Sequence, residues 1–74
     1  MPKTIVAERI KQLRVAAGLS QKSAAEAVGM SEQMWQQYEY GTRTPGFEKL
    51  IALADFFNVS LDYLAGRSEN PDKP

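Results

Sequence analysis

In three places a serine stands before a short amphipathic run and a glycine stands after it: Ser20 to Gly29, Ser31 to Gly41 and Ser60 to Gly66. A serine hydroxyl satisfies the orphan N–H groups that open a helix, and glycine adopts the left-handed turn that closes one. A chain punctuated this way is cut into short helices and leaves no room for a long helix or a sheet. Thr4 and Gly18 frame a further run, IVAERIKQLRVAA. The punctuation predicts helices over Ile5–Ala17, Gln21–Val28, Glu32–Tyr40, Phe47–Phe57 and Leu61–Ala65, with GTRTPG as a loop before the fourth. The expected class is all-α with five helices.

Apolar spacing tells which faces turn inward. Val6, Ile10, Leu13 and Ala17 follow helical periodicity in the first helix, and Leu50, Leu53, Ala54 and Phe57 do so in the fourth. Seventy-four residues form one small domain, burying only about 60% of the unfolded surface. Residues 1–66 are expected to form the domain and residues 67–74, RSENPDKP, a flexible C-terminal tail.

Composition removes several functions. With no cysteine and no histidine, disulfide frameworks and Cys/His metal sites have no ligands. Glycine-rich phosphate loops and framed carboxylate pairs are missing from the pattern, so neither an enzyme nor a cofactor is expected. No apolar run approaches the roughly 20 residues of a membrane span, and Met-Pro-Lys-Thr lacks a secretory apolar core. A cytoplasmic protein is the expectation. The formal net charge is zero, which argues against a sequence-blind DNA coat. Residues 1–49 carry seven Lys/Arg against five Asp/Glu, and residues 50–74 carry two against four, a slight bias of the first part toward phosphate.

The third helix is the most distinctive segment. At about 100° per residue, Glu32, Gln33, Gln36 and Gln37 fall on one side while Trp35 and Tyr38 fall on the other. Glutamine both donates and accepts, and it can pair with adenine N6 and N7 together, discriminating by about 1–3 kcal/mol. A polar helix face is by itself ordinary solvent cover. Here it follows a capped helix and a glycine turn, the layout of a helix-turn-helix that sets one helix in the DNA major groove.

Several spaced elements strengthen this reading: IKQLRVAAGLSQ, then Ala25 and Gly29, then YEYGTRTP, then LIALADFFNVSLDYLAG. Over about Ile5 to Gly66 the chain resembles the lambda-repressor/Cro, or Xre-type, helix-turn-helix family. The resemblance implies a compact five-helix domain that binds operator DNA as a homodimer on an inverted repeat, typically as a phage, prophage or bacterial repressor. By position it assigns base contacts to Glu32, Gln33 and Gln37, with Gln36 beside them. Gln21, Lys22, Ser31, Tyr40, Thr42 and Arg43 correspond to backbone contacts. Arg14 and Glu39 match a family ion pair that joins the first and third helices and fixes the angle of the third.

Two positions depart from the family pattern. Ala24 is small where the family has a large aliphatic, and Trp35 is large where it has a medium one. This reads as a volume exchange across facing helices; the alternative is that Trp35 stacks on DNA or a partner. Glu32 at the helix tip either accepts from cytosine N4 or stabilises its own helix dipole by about 0.3–1 kcal/mol. Dimer contacts are expected around Phe56, Phe57, Leu61 and Tyr63, some of which must instead be core. The competing function is a protein-interaction or antitoxin-like module on the same fold, with DNA binding secondary.

Overall fold

A computed structural model describes residues 4–73. Met1, Pro2 and Lys3 at the chain start and Pro74 of the expected tail lie outside the described residues. The described residues form five helices: α1 (Ile5–Ala16), α2 (Gln21–Ala27), α3 (Glu32–Tyr40), α4 (Phe47–Phe57) and α5 (Leu61–Leu64). Each hydroxyl cap closes on the N–H three residues ahead: Ala7 N to Thr4 Oγ1 at 3.1 Å, Ser23 N to Ser20 Oγ at 3.0 Å, Met34 N to Ser31 Oγ at 3.1 Å and Tyr63 N to Ser60 Oγ at 3.0 Å. The exception is α4, which starts at Gly46 with no side-chain cap. It is closed by Asn58 in the left-handed region at φ 56°, where asparagine is tolerated better than most residues.

The core is Ile10, Ala24, Ala25, Trp35, Tyr38, Leu53, Ala54, Val59 and Leu64. Trp35 is the largest fully buried side chain. Its ring meets Phe57 edge-on at 6.2 Å, and Phe57 meets Phe56 at 5.0 Å, so an aromatic chain ties α3 to α4. Contacts between α3 and both α1 and α2, and between α5 and both α1 and α4, complete the packing.

The inward face of α1 differs in one respect from the expected stripe. Ala7 and Ile10 are buried and Val6 and Leu13 partly so, but Ala17 is exposed. The helix ends at Ala16, and the i, i+3, i+7 line from Ala7 through Ile10 leads to Arg14, a charged residue, at its last turn.

The expected flexible tail is hydrogen-bonded to the domain. Ser60 N donates to Pro71 O at 2.8 Å, and Ser60 Oγ donates to Asn70 O at 3.3 Å. Arg67 N and Ser68 N both donate to Asp62 O. Arg9 donates to the carbonyls of Tyr63 and Ser68, and its guanidinium lies 4.0 Å from the Tyr63 ring centre. Lys73 reaches Asp55 at 3.2 Å.

Gly66 closes α5 at φ 84°, and a Cβ there would overlap the Ile5 side chain. Gly29 has a similar φ, 76°, with nothing within 4 Å of a built Cβ. Gly29→Ala therefore reports the left-handed penalty alone, about 1–2 kcal/mol, and Gly66→Ala is expected to cost more. Urea unfolding of the two variants measures the difference; equal losses would mean that Ile5 yields freely.

Candidate nucleic-acid interface

The position of α3 is set by a buried ionic network. Arg14 Nε and Nη2 donate to Glu39 Oε2 and Oε1 at 2.6 and 3.1 Å, a two-pronged fork. Arg14 Nη1 donates to Leu19 O at 2.8 Å, in the turn before α2. Trp35 Nε1 also donates to Glu39 Oε2. Glu39 is 1% exposed, yet no buried side-chain polar atom among the described residues lacks a partner. A carboxylate removed from water is tolerable only when donors replace its hydration. Three donors, from α1 and from α3 itself, do that here. Sequence reasoning paired Arg14 with Glu39 but missed the indole. The signal was present, since Trp35 and Glu39 stand four apart and so share a helix face. Ala24 and Trp35 both have zero exposure in one core, with the indole turned inward.

With Trp35, Tyr38 and Glu39 buried, the other side of α3 faces solvent. Glu32 and Gln33 are exposed and Gln36 and Gln37 are half-buried. Ser31, Gln33, Met34, Gln37 and Arg43 line one shallow concavity at the start of α3. The loop is brought there by a single carbonyl: Gln37 O accepts from Thr42 N at 3.1 Å, Arg43 N at 3.3 Å and Thr42 Oγ1 at 3.3 Å. The left-handed Gly41 makes this reversal possible. A residue that faces outward through its side chain thus also anchors, through its backbone, the loop cation beside it.

Lys22, Tyr40, Thr42 and Arg43 are exposed, and Gln21 is half-buried at the first position of α2. Lys22 and Arg43 have no ion-pair partner among the described residues. Ser31 is occupied as the cap of α3. Gln36 is the one expected reader already engaged, its Nε2 donating to Gln21 Oε1 at 3.3 Å. Arg14 and Glu39 lie beneath the surface and do not belong to it.

A helix-turn-helix family model matches residues 10–64, which contain both helices of the motif, α4, α5 and the second half of α1. The chain belongs to the helix-turn-helix family. It is 35% identical over 65 residues to an HTH-type transcriptional regulator of Bacillus subtilis, YobD, covering 88% of this chain and 58% of that protein. It is 39% identical over 62 residues to the HTH-type transcriptional regulator ImmR of the same organism, covering 84% and 49%. The cryptic phage CTXphi transcriptional repressor RstR of Vibrio cholerae is 34% identical over 62 residues, covering 84% and 55%. The chain spans about half the length of the curated relatives it matches.

Arg14→Ala leaves Glu39 buried without its cation and is expected to cost about 3–5 kcal/mol. Trp35→Phe keeps the fork and removes one donor, for about 1–2 kcal/mol. Chemical denaturation of both variants checks the order; a Trp35→Phe loss equal to that of Arg14→Ala would contradict the ranking.

Proposed function

We propose that this chain is the DNA-binding part of a transcriptional regulator, a repressor of phage, prophage or bacterial type that acts by covering its operator. The observation that carries the proposal is the pairing of an outward amide face on α3 with a cation, Arg43, that has no ion-pair partner among the described residues and is held beside it by the Gln37 carbonyl. Gln33 and Gln37 read base edges, and Glu32 at the tip meets a cytosine N4 donor or remains a helix-dipole partner. Gln36 stands next to them. Gln21, Lys22, Ser31, Tyr40, Thr42 and Arg43 face the sugar-phosphate backbone. The relatives are named as transcriptional regulators and a phage repressor, which supports the same reading.

One domain of this size contacts a single half-site, so tight specific binding to double-stranded DNA calls for a homodimer on an inverted repeat. Of the residues expected at the dimer surface, Phe57 packs on Trp35 and Tyr63 lies under Arg9. Phe56 is 39% exposed; on the opposite flank of α4, Phe47 is 69% and Ile51 38% exposed. Phe47, Ile51 and Phe56 therefore leave apolar area exposed on two flanks of α4. The zero net charge favours the second reading, a protein-interaction module with DNA binding secondary.

Selection from a random duplex pool at two salt concentrations tests the proposal. An inverted repeat recovered at both is the expected result, and binding without sequence preference that disappears at moderate salt would refute it. Gln33→Ala is expected to relax preference at one operator position by about 1–3 kcal/mol. Arg43→Ala is expected to weaken binding to all sequences alike and to lower the salt slope by about one per monomer. Competition titrations read both effects. Loss of a protein partner from Gln33→Ala with unaltered DNA binding would favour the interaction module.

A further inference from the structure

We infer that Met34 reads a thymine through contact with its C5 methyl group. The inference rests on the proposed DNA reading, in which α3 enters the major groove. Glu32, Gln33 and Gln37 discriminate there by hydrogen bonds. Thymine also presents one group that makes none, the C5 methyl, and recognition of it falls to an apolar side chain. The concavity at the start of α3 is lined by Ser31, Gln33, Gln37 and Arg43, all polar or charged, and by Met34. Met34 alone is apolar among the described residues that line it. The side chain is half-buried, packing against the core on one side and opening on the concavity on the other.

Position and chemistry both suit that contact. Met34 is the third residue of α3, and its backbone N–H is held by Ser31 Oγ at 3.1 Å. The cap that opens the helix therefore also fixes Met34 beside Gln33. A thioether chain is unbranched and polarizable, and it moulds itself to an apolar partner. On a pyrimidine, C5 is the major-groove position nearest the strand's own sugar-phosphate backbone. Its methyl sits well where an apolar chain and a cation share one hollow, as Met34 and Arg43 do. Met30 provides the contrast. It too is half-buried against the core, but it does not line the concavity.

The test takes the operator recovered by selection and replaces its thymines one at a time with deoxyuridine. That change removes the methyl and keeps every hydrogen-bonding group. For the wild type, one such replacement in each half-site is expected to weaken binding roughly four-fold. In Met34→Ala the same penalty is expected to vanish. The penalty is a ratio of two affinities measured on one protein preparation, so a smaller folded fraction cancels from it. Met34→Gln, which keeps the length of the side chain, is read the same way if the alanine variant unfolds. Met30→Ala is expected to retain the full penalty. If no thymine carries a penalty that depends on Met34, or if Met30→Ala abolishes the same penalty, the inference is overturned. A selected operator with either of those results leaves the DNA reading intact. A wild type that selects no sequence removes both.

Discussion

Everything on the outer face of α3 depends on the fork between Arg14 and Glu39. The carboxylate is buried, so its hydration has been exchanged for two guanidinium bonds and an indole bond. Such a pair adds little net stability over a well-packed apolar equivalent, because desolvation offsets most of the attraction. What it supplies is direction. Arg14 grips α3 through Glu39 and the start of the motif through Leu19 O, so the roll of α3 and the turn before α2 are fixed by one side chain. Base-edge recognition tolerates only small errors in placement, and a stripe of methyl groups would permit a helix to rotate where a planar fork does not.

The rest of the chain supports this arrangement in layers. Hydroxyl caps define short helices, the Trp35–Phe57–Phe56 chain fixes α3 to α4, and Arg9 with the Ser60 cap fastens the α5 region to α1. The loop after α3 has little freedom, since three donors from Thr42 and Arg43 converge on Gln37 O. A protein with zero net charge has no general attraction for phosphate to exploit, so the placing of its few cations matters more than their number.

Much of this was legible in the sequence, for reasons that can be located. Ser20, Ser31, Ser60 and their glycines act locally, through bonds to residues three positions away, so helix bounds could be read within a residue or so. The division of α3 into wet and dry sides follows from periodicity, and so does the inward turn of Trp35. Periodicity gives the direction of a side chain but not its partner. The Gln21–Gln36 bond, the Leu19 carbonyl on Arg14 and the return of residues 67–73 depend on how helices cross. The misplaced Ala17 has the same root: the apolar pattern carried the inward face of α1 on to Ala17, whereas the helix ends at Ala16, its last turn holds Arg14, and Ala17 is left to solvent.

The indole that completes the Glu39 shell belongs to the only tryptophan in the chain. Its emission colour and lifetime answer to the field of a carboxylate one bond away and to the loss of that bond. The protein therefore carries an intrinsic optical gauge at the root of α3. Any ligand, solvent or substitution that unseats α3 registers in ultraviolet fluorescence with no label attached, and a signal that stays still while DNA binds would mean the helix arrives already set.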